Sequence, residues 1–217
     1  MNRNVLAFCL LVPVFEFGFL PTASGQEKFT TKDRINVHLG TGFGLYNVSN
    51  NQAGDKDAGA LAGAFRLGAD YGITPLISAG VALFSNQFAT NKDSADAASI
   101  GGVGVYAHLN FSRRPKTTWY LHLGLGGSGF VYKNYNSNGK VSAQGGYIQA
   151  GVGFRRYFGE HFGLFSDFNL TGYNYDKFTL GNKEIFKTDS GNNFELGLSG
   201  LEFKIGLVVA LGKNGSK

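Results

Sequence analysis

The chain has 217 residues, a formal net charge of +5, 33 glycines, 20 phenylalanines, 10 tyrosines, four prolines and one cysteine. That length suits one domain, and the lone cysteine excludes a disulfide framework. The basic excess is not interleaved with aromatics as a base-stacking groove requires, so no nucleic-acid partner is expected.

Residues 1–25 read as a secretory signal. Arg3 supplies the charged start, Val5 to Leu20 the apolar region, and Thr22-Ala23-Ser24-Gly25 the small-residue cleavage site. Cys9 lies inside this segment, so a mature chain of residues 26–217 would carry no thiol. The apolar run is shorter than the roughly 20 residues a membrane helix needs.

From there the chain alternates between apolar and small or polar residues with a period of two, the signature of strands with unlike faces. The spacing predicts eight strands at about 33–47, 59–71, 75–88, 98–112, 118–133, 143–158, 162–175 and 194–211. Several are long enough to cross a bilayer tilted, which takes about 9 to 11 residues. Long polar connections (near Asn50 to Lys56, Asn91 to Ser94, Asn134 to Gly139 and Asp176 to Asn193) alternate with tight ones at Gly72-Ile73-Thr74, Arg113 to Thr117 and Gly159-Glu160-His161. Short turns at one end and long loops at the other predict an all-β fold, an eight-stranded antiparallel up-and-down transmembrane β-barrel.

One strand face carries Leu39, Phe43, Phe65, Val81, Val105, Ile148, Phe168, Leu201 and Leu207, and predicts contact with lipid. The other carries His38, Arg66, Asp70, His108, His122, Gln149, Arg155, Asp167, Glu202, Lys204 and many glycines. It is too poor in Lys and Glu for a wet surface and suits a narrow interior. Aromatics near the tight turns (Tyr71, Phe111, Trp119, Tyr157, Phe158, Phe162) and near the loops (Phe84, Phe88, Tyr132, Tyr173, Tyr175) predict two interface girdles.

The candidate site is an interior network of Arg66, Asp70, His108, His122, Arg155, Asp167, Glu202 and Lys204. Strand alignment sets Arg155 diagonal to Asp167 with Lys204 close by. If Ser112 pairs with Thr118, His108 faces His122. A hydrogen-bonded structural pair is the reading here rather than a metal site, since zinc takes at least three protein ligands and no cysteine or well-placed carboxylate completes a set. No catalytic, cofactor or metal residues are expected. Basic and acidic residues balance in the long loops, and the excess sits at the tight-turn end: Lys28, Lys32, Arg113, Arg114, Lys116, Arg156, Lys213 and Lys217. Such residues would anchor the barrel to leaflet phosphates.

The run Ala69-Asp70-Tyr71-Gly72-Ile73-Thr74-Pro75-Leu76-Ile77-Ser78-Ala79-Gly80, the run Gly153 to Phe165 and the closing Lys204-Ile205-Gly206-Leu207 resemble the small outer-membrane β-barrel proteins of Gram-negative bacteria, most like those of the Bacteroidetes. The chain departs from that family where its last strand ends, at Leu211 rather than on an aromatic residue. The resemblance implies an integral outer-membrane location, contacts with outer-membrane lipids and lipopolysaccharide, and passage through the barrel assembly machinery. A monomer without an appended peptidoglycan-binding domain is expected.

Function is read as a non-enzymatic barrel with a packed polar interior, whose extracellular loops serve surface contacts or envelope integrity. The alternatives are a narrow small-solute channel or apolar-ligand conduit, and a lipid-modifying outer-membrane enzyme. The sequence names no extracellular partner. It also contains no phosphate loop, no Gly-x-Ser-x-Gly elbow and no His-Glu-x-x-His pair.

Overall fold

The computed structural model describes residues 31–51, 58–89, 96–114, 116–134, 139–180, 183–184, 191 and 194–212. Residues 1–30, which include the expected signal, the tips of the long loops and the residues after 212 lie outside them. Nine strands follow in order: β1 (Ile35–Asn50), β2 (Ala58–Gly72), β3 (Ile77–Phe88), β4 (Asp96–Arg114), β5 (Thr117–Asn134), β6 (Gly139–Tyr157), β7 (Phe162–Leu180), the two-residue β8 (Lys183–Glu184) and β9 (Leu196–Leu211). Each barrel strand pairs antiparallel with its sequence neighbour, and β9 pairs with β1, so eight strands close the wall and leave no free edge.

The registers set the barrel's shape. Moving round the wall from His38 through Gly68, Ala82, Gly104, Gly126, Tyr147, Tyr173 and Leu198 returns to β1 at Val48, ten residues further along. That stagger slides the sheet by roughly 33 Å around a girth of roughly 38 Å, which tilts the strands by about 40°. Eight tilted strands leave an interior just wide enough for side chains.

The alternation sorts the faces as the sequence predicts. Leu123 and Ile148 are 63% and 67% exposed, whereas Arg155 is 0% and Asp167 2% exposed. Water would not tolerate so broad an apolar exterior around buried charges. In lipid both faces are satisfied, and closure pairs every backbone ladder.

The largest boundary differences from the prediction lie at the polar loop end. β7 runs on to Leu180 and β6 begins at Gly139, with Val141 opposite Leu180 and a hydrogen bond between the Ser142 and Thr179 hydroxyls at 3.1 Å. Above the lipid both faces of a strand can be polar, so the period-two signal fades where the ladder continues. The predicted long loops at 134–139 and 176–193 are correspondingly shorter.

The loop-side girdle is a second correction. Tyr173 and Tyr175 are buried inside the barrel, and Phe84 and Phe88 pack against the same inner cluster with Tyr46, Ile100, Phe178 and Leu198. Tyr157, predicted for the other girdle, is also internal at 1% exposure. Tyr71, Phe111, Phe158 and Phe162 do face outward near the tight turns.

Candidate functional site

Three carboxylates organise the interior, each on a strand position whose parity points inward. Asp70 on β2 receives a two-pronged hydrogen bond from Arg155 on β6, at 3.3 and 2.9 Å. Asn36 adds a donor at 3.0 Å, and the His38 ring contacts the second carboxylate oxygen. A fork of this geometry is among the stronger charge-assisted contacts. Asp167 on β7 meets the Arg66 guanidinium at 3.3 Å and accepts from the Tyr120 hydroxyl. Gly153 is its cross-strand neighbour, and a Cβ there would lie 2.3 Å from the Asp167 carboxylate and 2.7 Å from the Tyr120 ring, so glycine makes the room that this contact needs.

Glu202 on β9 takes hydrogen bonds from Asn86 at 2.9 Å, Gln149 at 2.8 Å and Tyr173 at 3.0 Å, and also contacts Tyr46 and Lys204. Three cations therefore face three carboxylates. The pairing is not the one drawn from strand alignment: Arg155 reaches across the lumen to Asp70 rather than diagonally to Asp167, and Lys204, although opposite Asp167 in the β7–β9 register, turns to Glu202. In so narrow a lumen a long side chain reaches the far wall as readily as its strand neighbour.

His108 and His122 are direct cross-strand partners, with Nε2 of the first 2.8 Å from Nδ1 of the second. The premise differs, because Ser112 pairs with Trp119 rather than Thr118 and an irregularity after Asn110 absorbs the extra residue before the turn. An Arg155 nitrogen donates to His108 Nδ1, which leaves Nε2 as the nitrogen that donates to His122. Arg155 thus donates on one side to Asp70 and on the other to His108, which passes its own N–H to His122. Guanidiniums also stack on rings, with Arg66 4.4 Å above Tyr106 and Arg155 4.8 Å above Tyr120, which interlocks the Asp70 and Asp167 centres. Among the described residues no group of three or more His, Cys, Asp or Glu side chains is placed to hold a metal ion.

Both ends of the interior are filled. At the loop end the cluster of Tyr46, Tyr173, Tyr175, Phe178 and Leu198 forms a cap. At the tight-turn end Tyr157, Phe165, Val208 and Ala210 pack together under a strap, Thr31 to Arg34, that precedes β1. Thr31 and Arg34 are buried, Asp33 N–H donates to Gly72 O at 2.8 Å, and Arg34 donates to the Glu160 carbonyl. Between cap and strap, a cavity of about 10 Å³ lies beside Arg66, His122, Gln149, Glu202 and Lys204, the size of one water.

Alignment did not identify Tyr46, Asn86, Tyr106, Tyr120 or Gln149 as carboxylate partners. Their inward parity was readable, but which far-wall partner each reaches is not a property of sequence spacing. The strap was not separated from the first strand, because Arg34 shares the inward parity of Asn36 and His38.

A closed eight-stranded barrel with an apolar exterior, charges sealed inside and its tight turns at one end is a transmembrane barrel of the outer-membrane type. No family model and no curated protein matches the chain. Among solved structures it is similar to Ail, the attachment invasion locus protein of Yersinia pestis (13% identity, 83% of this chain and 99% of that one, TM-score 0.44). It is also similar to the outer membrane protein OprG of Pseudomonas aeruginosa (13%, 85% and 99%, 0.48) and to the outer membrane protease OmpT of Escherichia coli (11%, 87% and 100%, 0.45). Identities and scores of this size say nothing about activity, and the class rests on the barrel's own registers and faces.

Proposed function

We propose that the protein is a non-enzymatic outer-membrane barrel whose interior is a structural core and whose extracellular loops make its surface contacts or support the envelope. The observation that carries this reading is the filled lumen among the described residues: a cap, three neutralised carboxylate centres and a strap, with a one-water cavity beside Glu202 and Lys204. Residues 1–25 would export it as a cleaved signal, which N-terminal sequencing of the membrane-extracted protein tests.

A catalytic reading has one arrangement to consider, since Ser78 faces His108 across β3 and β4 and His108 lies 4.0 Å from Asp70. Both His108 nitrogens are already engaged, with Arg155 and His122, and Ser78 is fully buried with its hydroxyl unbonded. A nucleophile needs its base within hydrogen-bond reach and a path for substrate, so this set favours packing over chemistry. The test is reconstitution into vesicles followed by osmotic swelling in small sugars. Rates equal to protein-free vesicles, with the folded protein migrating differently before and after boiling in dodecyl sulfate, support the reading. Swelling that scales with protein would instead favour the channel.

A further inference from the structure

The outer wall of β4, β5 and β6 carries three features one below another. A groove of about 460 Å³ runs over it, floored by Ala107 and Ala150 on either side of Leu123 and walled by Leu109, Leu121, Val152 and Leu170. Directly below, toward the tight turns, Trp119 and Phe154 stand opposite each other with ring centroids 5.3 Å apart. Below them, Arg156 opposite Thr117 and Lys116 in the β4–β5 turn are exposed, and neither has an ion-pair partner among the described residues. The three levels follow one line down the same strands.

The spacing matches one leaflet. Six residues separate Arg156 from Ala150, roughly 20 Å along the strand and about 15 Å along the membrane normal at the strand tilt, half of a hydrocarbon core of roughly 30 Å. Unpaired cations at the base, an aromatic pair at interface depth and an apolar groove reaching the midplane reproduce, in order, the head, shoulder and chain of a lipid. The short turns of such barrels face the periplasm, and we infer that this wall seats one anionic phospholipid of the periplasmic leaflet, with its phosphate against Lys116 and Arg156 and an acyl chain over Ala107 and Ala150. The inference rests on the membrane-embedded reading above and adds a defined lipid site to it.

Trp119 is the only tryptophan in the chain and sits inside the proposed site, so it reports occupancy directly. The protein is reconstituted in phosphatidylcholine vesicles containing a minor fraction of lipid brominated near the head of its chain, either as phosphatidylglycerol or as phosphatidylcholine. Quenching of Trp119 should reveal about a thirtyfold enrichment of the anionic lipid, the order that two basic residues at a membrane surface supply. Lys116→Gln with Arg156→Gln should abolish the preference. Ala107→Leu with Ala150→Leu, which fills the groove while keeping an apolar exterior, should reduce it severalfold.

Equal quenching by both lipids overturns the inference, as does a preference that survives loss of the two cations. A preference untouched by filling the groove means plain charge attraction without a seat, and also overturns it. If the protein remains carbonate-extractable and shows no heat-dependent migration, the membrane-embedded reading fails, and the lipid site with it.

Discussion

The two halves of the lumen are closed by different physics. Toward the tight turns, Asp70 and Asp167 are each fixed by a guanidinium that also stacks on a tyrosine ring, and the strap seals the end beneath them. Toward the loops, Glu202 sits under an aromatic cap and is served mainly by neutral donors, its one cation being the flexible Lys204 beside the small cavity. A rigid planar cation locked between ring and carboxylate cannot relax when its partner goes, whereas an ammonium on a four-carbon stem can turn toward water. The same charge count therefore gives a stiff lower half and a more forgiving upper half.

Removing Asp70 breaks the comparison most strongly. Asp70→Ala leaves Arg155 buried and uncompensated and should cost about 4 kcal/mol, within the roughly 3 to 5 typical of a broken buried pair. Urea unfolding in detergent, followed by Trp119 fluorescence, measures it. Glu202→Ala in the same assay should cost less, about 3 kcal/mol, because Lys204 can reach the cavity. If Glu202→Ala proves the more damaging of the two, the stiff half has been misplaced.

The strap sharpens the contrast at the bottom of the barrel. A Cβ on Gly72 would lie 1.7 Å from the Thr31 carbonyl oxygen, so Gly72→Val must push the strap off and lose the hydrogen bonds that Gly72 shares with Asp33 and Arg34. Two such bonds are worth about 2 kcal/mol. Trypsin should then cut after Lys32 or Arg34 in the folded variant and not in the parent. Smallest of all, Asp176→Ala on the exposed loop end of β7 should shift stability by less than about 0.5 kcal/mol, and a larger loss would mean the charge ledger extends outside the lumen.

How much of this was legible follows from what a period of two encodes. It assigns a side chain to a face, and so it placed Arg66, Asp70, Arg155, Asp167, Glu202 and Lys204 inside from their parity alone. It also held the information that Tyr173 and Tyr175 share the parity of Asp167, which reading aromatics as a girdle overrode. Antiparallel pairing joined by a tight turn makes cross-strand neighbours nearly computable, which is why His108 and His122 were found together despite a one-residue irregularity between them and the turn. Contacts across the lumen are different. Arg155 to Asp70 depends on the barrel's stagger and closure, and those are set by all eight registers together. The Thr31 to Arg34 strap is held by backbone contacts to Gly72 and by the buried Arg34 side chain on the Glu160 carbonyl, and the inward parity that Arg34 shares with Asn36 and His38 reads as one more strand position rather than as a strap.

The central claim is that the interior is filled from cap to strap, and single-channel recording in a planar bilayer tests it most directly. Folded, unmodified protein should add no stable open level above the membrane baseline, since the cavity beside Arg66, Glu202 and Lys204 is about 10 Å³ and buried ion pairs and aromatic rings fill the lumen around it. A long-lived, ohmic conductance that appears with each insertion of the unmodified barrel would contradict the account.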